Sequence, residues 1–352
     1  MKHLFLIFFL FIGIAQSIFG EVKETIILPK PAKVPNKAQQ KQIARKYGMF
    51  IHFGINTFHN EEWTDGSKPA SSYNPRTIDA NQWVKGAKDA GMKYIILVTK
   101  HHDGFCLWDS KYSDYDVATS GNKTNVVEAV AKACKKYGIK LGLYYSLWDR
   151  KVNTNVEKQD EDIVYNSYML NQLKELIEIT ERHTPVIEFW FDGGWVKPNS
   201  RWPIQEIYQV IKSKLPKCQI GINWSIGLPN NPDAHMVLPQ DQKAGYPIRY
   251  FPSDFRLGDP FLPSDPDPKI FTHKEKEYYM PWESTICISK HWFYHTNDTI
   301  YKSVEELESL YRKCTKNNNI LILNCPPNKD GQLREKDLQL LNTLNRRIKK
   351  SK

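Results

Sequence analysis

The stretch VIEFWFDGGW, residues 186–195, ends an apolar run on a single carboxylate, Asp192, which lies between Trp190 and Trp195 and is followed by two glycines. A charge at the end of a buried strand is costly unless hydrogen bonds stabilise it or chemistry uses it. Other reactive types collect at comparable points: His52 in MFIHFG, Glu61, Glu62 and Trp63 soon after, and His101, His102 and Asp103 in KHHDGF. Tyr144, Tyr145 and Trp148 follow in GLYYSLW, then Trp282 and Glu283 in PWES. One carboxylate in a half-buried pocket suits a nucleophile, and a second across the pocket suits a proton donor. Trp63, Trp148, Trp190, Trp195 and Trp282 offer flat faces on which the apolar side of a sugar could rest. The plainer alternatives are a hydrogen-bonded core histidine at 52, a helix-capping aspartate at 192 and tryptophans that simply pack. His101-His102-Asp103 has metal-ligand types, but successive strand residues face opposite ways. No metal and no cofactor are therefore expected.

Short apolar runs must position these groups. Candidate strands are 49–54, 93–101, 139–146, 186–193, 219–224, 235–239 (HMVLP), 284–289 and 319–327, each near-continuous in apolar character, as expected for strands covered on both faces. Amphipathic stretches fall between several of them. In TNVVEAVAKACKKYG, Thr124 is a candidate N-cap, apolar residues recur at three- and four-residue spacing, and Gly138 supplies the stop. TIDANQWVKGAKDAG ends similarly at Gly91, and further helices are expected at 161–182, 202–215, 303–316 and 333–350. Eight strands alternating with helices predict a (β/α)8 barrel of the TIM type, with the polar residues at its C-terminal face. The competing doubly wound sheet lacks a G-x-G-x-x-G after its first strand.

Residues 1–20 combine a basic start, an apolar run from Leu4 to Ala15 and small residues thereafter, the pattern of a secretory signal. The run is short for a membrane span. The expectation is a mature chain starting near Ile18 or Glu21, secreted or periplasmic, with no membrane association once the signal is removed. Residues 21–46 read as an extended polar lead-in and 47–350 as one catalytic domain. The six cysteines are scattered without a C-x-x-C pair, which argues for buried thiols. A formal charge of +10 is spread over lysine-bearing helix faces and the RRIKK tail, without the interleaved aromatics of a nucleic-acid surface. No nucleic-acid partner is expected, and the oligomeric state is not legible.

In this order, GMFIHFG, EEW, KHHDGFCLWDS, GLYYSLWDR, EFWFDGGW and ILILNCPPNKDG resemble the catalytic barrel of the α-L-fucosidases, glycoside hydrolase family 29, from about Tyr47 to Gly331. The resemblance implies a retaining exo-glycosidase that releases terminal α-L-fucose from fucosylated glycans through a covalent glycosyl–aspartate. Asp192 would be the nucleophile. His52, Glu62 with Trp63, His101, His102, Tyr144 and Trp190 would hold the sugar, and Arg249 would join them from the middle region. Glu283, in PWESTICISKHWFYH, matches the segment in which one branch carries its acid/base, with Asp254, Asp259, Asp265 and Asp267 as competitors. The resemblance leaves no evident C-terminal β-sandwich, a domain that many members carry. The rival functions are an α-L-galactosidase or related glycosidase on the same machinery, and a non-catalytic sugar-binding barrel.

Overall fold

The computed structural model describes residues 25–152 and 159–350, so the expected signal stretch lies outside the described residues. In chain order the elements are α1 (Lys37–Arg45), β1 (Tyr47–Ile51), α2 (Asn56–His59), α3 (Ala80–Asp89), β2 (Tyr94–Lys100), α4 (Val126–Tyr137), β3 (Lys140–Ser146), α5 (Gln159–Glu181), β4 (Val186–Asp192), α6 (Ile204–Lys214), β5 (Gln219–Ile222), β6 (Phe255–Arg256), β7 (Ile270–His273), β8 (Lys276–Tyr279), β9 (Glu283–Cys287), α7 (Val304–Lys316), β10 (Ile320–Asn324) and α8 (Glu335–Lys350).

Eight of the strands form one all-parallel sheet in the order β6-β5-β4-β3-β2-β1-β10-β9. A parallel bridge between Arg256 and Trp282, with the Arg256 N–H donating to the Pro281 carbonyl at 2.8 Å, links the two end strands and closes the barrel. This is the expected (β/α)8 architecture. Alternation along each strand splits the core in two. Phe50, Tyr94, Ile96, Val98, Tyr144, Trp190, Phe255, Ile320 and Ile322 pack inside the barrel. Met49, Ile95, Leu97, Leu143, Phe189, Phe191 and Leu321 pack outward against the helices. Inward-facing residues near the strand ends form the floor of any site at that face.

Local rules account for the helices. Asn36 caps α1 in a reciprocal arrangement with Gln39, and Ser303 and Glu306 do the same at α7. α4 ends on Gly138 at φ 70°, as its sequence required, but its N-cap is Asn125, whose side chain accepts from the Glu128 N–H, rather than Thr124.

Three expectations change. Lys37–Arg45, expected within an extended lead-in, is helical, and the Gln39 side-chain amide plugs into the Asp254 and Tyr279 carbonyls. HMVLP is not a strand; the sixth barrel strand is the two-residue Phe255–Arg256, too short to leave an apolar run in the sequence. The antiparallel hairpin β7–β8, within the irregular middle region, was not anticipated. All six cysteines are unpaired, five of them buried.

Candidate active site

Three adjacent strand ends bring acidic and amide groups together at the C-terminal face. Asp192 closes β4, Asn223 follows β5 and Asp259 lies three residues past β6. The Asn223 side-chain amide donates to Asp192 Oδ1 at 3.0 Å, and the same nitrogen contacts Asp259 Oδ1. Asp192 also accepts from the Gly193 N–H at 2.9 Å and from the Tyr144 hydroxyl at 2.9 Å. Gly193 adopts φ 73°, and a Cβ there would stand 2.7 Å from Trp148 Cβ. Hence the glycine after the aspartate: it turns the chain sharply while keeping the carboxylate at the strand end.

The two carboxyls differ electrostatically. Burial raises both above the ordinary aspartate value. Asp192 collects three donors that favour its anion, whereas Asp259 lies beside the Asp192 charge and is pushed up to about 7. Asp192 is therefore the member that ionises first, and Asp259 the member that keeps its proton.

Three histidines line the same cavity. His52 Nδ1 pairs with Asn324 Oδ1 at 2.7 Å, His101 Nδ1 with the Asn56 amide at 3.4 Å and His102 Nδ1 with Ser146 Oγ at 2.6 Å. With every Nδ1 engaged, the Nε2 edges are available to a ligand, and His102 Nε2 is 3.6 Å from Asp192 Oδ2. Burial lowers all three pKa values, to about 3 for His52 and His102, so the rings are neutral. The opposite-face argument for His101 and His102 does not hold, because β2 ends at Lys100 and both residues lie in the turn beyond it. Their ring centroids are 4.2 Å apart. Asp103 is buried behind them, where it accepts from Asn56 and the Phe105 N–H.

The cavity has a volume of about 250 Å³, below the range of drug-sized sites and suited to one monosaccharide ring. Trp190, Trp195, Trp224, Trp292 and Phe50 supply its apolar surface. Trp63, 48% exposed, stands at the mouth with its ring edge-on to His102.

Residues 67–351 match the family described as Alpha-L-fucosidase. The chain is 30% identical to Alpha-L-fucosidase 1 of Arabidopsis thaliana over 345 residues, covering 95% of this chain and 65% of that protein. The chain belongs to the α-L-fucosidase family. Among solved structures, a glycoside hydrolase 29 family member from an unknown rumen bacterium aligns with TM-score 0.69 and 25% identity, over 91% of this chain and 58% of that one. A Ruminococcus gnavus GH29 fucosidase solved with fucose shares the fold, with TM-score 0.71 and 24% identity, over 93% and 70% of the two chains. The chain thus spans less than two thirds of the Arabidopsis protein's length.

Against the family pattern, His52, Trp63, His101, His102, Tyr144, Trp190 and Asp192 all line the cavity, and three expected residues do not. Glu283 faces inward but opens β9, at the far end of the strands. Thr285, which does line the cavity, stands two residues above it, about 6.6 Å at ~3.3 Å per residue. Glu283 instead accepts from the Tyr94 hydroxyl at 3.0 Å and shares a layer with Glu188, itself held by Arg45 and Gln42. This is the N-terminal end of the barrel, whereas barrel active sites are built at the C-terminal face, so Glu283 is set aside as proton donor. Arg249 is buried behind the cavity wall and reaches it only through His235, its Nη1 lying 3.3 Å from His235 Nδ1. Glu62 is placed behind Trp292, accepting that residue's N–H at 3.0 Å.

The residues that sequence reading passed over are Asn223, His235 and Trp292. Asn223 opens an N-W-S triplet, yet it is 2% exposed and bonded to two carboxylates. Nothing local distinguishes such an asparagine. Asp259 was one of four competing aspartates in an acidic loop. Asp267 is neutralised by Arg256 and Lys269, and Asp254 by Lys212. Only the fold singles out Asp259.

Proposed function

We propose that this chain is a retaining exo-α-L-fucosidase acting on fucosylated glycans, with Asp192 as nucleophile and Asp259 as acid/base. The observation that supports the reading is the single Asn223 amide contacting both carboxyls, since one shared nitrogen leaves the two Oδ1 atoms closer together than the roughly 6.5–9.5 Å of an inverting pair. Ionised Asp192 attacks the anomeric carbon as Asp259 gives its proton to the departing glycosidic oxygen, leaving a glycosyl ester on Asp192 and an anionic Asp259. Asp259 then takes a proton from water, whose oxygen attacks the same carbon and frees fucose with its original configuration and Asp192 as the carboxylate. Neutral His52, His101 and His102 donate to or accept from hydroxyls without adding charge, and the tryptophan and phenylalanine walls suit the apolar faces and methyl group of a 6-deoxy sugar. Export to the periplasm or outside the cell belongs to the same proposal and rests on residues 1–20; among the described residues no helix is long and apolar enough to cross a membrane.

The decisive experiment is proton NMR of the hydrolysis of a panel of defined fucosylated oligosaccharides. Release of α-fucose ahead of its mutarotated β form is the expected result. Initial β-fucose would make the pair an inverting one, faster cleavage of the matching α-L-galactosides would reassign the substrate, and binding of fucose without turnover of any substrate would leave a sugar-binding barrel.

A further inference from the structure

The geometry points to a zinc-class divalent cation site formed by Glu62, His291 and His295 behind Trp292, one wall of the cavity. The two histidines lie four residues apart in HWFYH, in the loop after β9, with rings stacked at 3.9 Å and 13°. Stacking sets two nitrogens side by side: His291 Nδ1 is 3.2 Å and His295 Nε2 is 3.1 Å from one oxygen, Glu62 Oε1. Two imidazoles and a carboxylate are a zinc donor set, and zinc bonds of 2.0–2.2 Å in tetrahedral geometry place ligand atoms about 3.3 Å apart. Both nitrogen-to-oxygen distances already match that spacing.

Hydrogen bonding does not explain the cluster. Glu62 Oε1 and His295 Nε2 are both shielded from solvent, and neither makes a hydrogen bond despite their proximity. The three candidate ligand atoms all lie within 4.8 Å of one another. The other carboxylate oxygen, Oε2, is already fixed by the Trp292 N–H at 3.0 Å, the kind of outer contact that orients a metal-binding carboxylate. The His291 backbone N–H donates to Asp298, an anion that adds to the attraction for a cation. A second group, His101, His102 and Asp192, has comparable spacing, but Asp192 already accepts three hydrogen bonds and the His102 Nδ1 pairs with Ser146. That group belongs to the sugar site.

The three ligands come from two loops, one carrying Trp63 and the other Trp292, so a bound ion would tie together two aromatic walls of the cavity. The fourth position would hold water. Its role is to fix the mouth of the site; no chemical step passes through it.

The test uses the full chain freed of metal with a chelator and titrated with zinc chloride, followed by calorimetry and thermal unfolding. One zinc per chain should bind and raise the unfolding temperature. His291→Gln combined with His295→Gln should weaken binding by more than the ~10–100-fold typical of losing an outer-shell partner, and Glu62→Gln, which keeps the side-chain shape, should do the same as an independent variant. Asp192→Asn should leave zinc binding intact. No binding at 100-fold molar excess, binding unchanged in both cluster variants, or binding lost in Asp192→Asn would each overturn the site.

Discussion

Asp192 and Asp259 are the same residue type in one cavity, and their neighbours divide the labour between them. Three donors at Asp192 favour its anion, and burial, followed by that anion, raises Asp259 to about 7. Replacing Asp192 with Asn should lower kcat/KM by about 10⁴ or more while the protein stays folded; activity near wild type in a pure preparation would remove the nucleophile assignment. Asp259→Asn should slow substrates with poor leaving groups by about 10²–10⁴ and activated aryl fucosides far less, with azide restoring the latter. The pH profile follows from the same pair. A donor must carry its proton, so kcat/KM should fall as pH rises through about 7, and that limb should vanish in Asp259→Asn. An unchanged alkaline limb in the variant would assign the proton to another group.

At the level of elements, inward-pointing positions at the two ends of the barrel do opposite things. At the lower end Glu283 and Glu188 crowd together away from water, and burial followed by the Glu188 charge raises Glu283 far above its ordinary 4.5. A group kept protonated in the folded state but ionised in the unfolded state loses stability for the fold as pH climbs above that ordinary value. Glu283→Gln has no proton to lose. Its unfolding temperature relative to the wild type should therefore increase steadily between pH 5 and pH 8, with fucosidase activity retained; a pH-independent difference, or collapse of activity, would return Glu283 to the mechanism. The loop after β3 shows how an element end is held. The Lys100 ammonium, fully buried, lies 2.6 Å from Asp149 Oδ2 and against the ring of Tyr145. Asp149 Oδ1 in turn accepts the Lys151 and Val152 N–H groups. Lys100→Met should cost about 3–5 kcal/mol, since it strips a buried carboxylate of its cation, and denaturant unfolding measures this directly.

For the whole molecule, the closed barrel makes the site by convergence: Asp192, Asn223 and Asp259 come from three consecutive strands, and His52, His101 and His102 from two more. A larger groove of about 610 Å³ lies between α5 and α6, but its lining of lysines, glutamates and aliphatic residues lacks the convergent hydrogen-bonded groups of the barrel site. Size alone does not locate function. The strand rhythm and seven of the cavity residues were legible because a buried parallel strand leaves a continuous apolar run and because polar residues at its end stand out against that run. The two-residue β6 left no such run, which hid both the sixth strand and the position of Asp259 relative to it.

By itself the sequence determined seven of the eight barrel strands and that Asp192 ends one of them, since apolar runs and composition are local properties. Only the tertiary structure decided at which end of the barrel each inward residue stands relative to its neighbours. The height of a side chain depends on the register between strands, and that is set by hydrogen bonds between segments far apart in the chain. Register put Glu283 with Tyr94 and Glu188 in the lower layer, and it brought Asp259 to the amide that also holds Asp192.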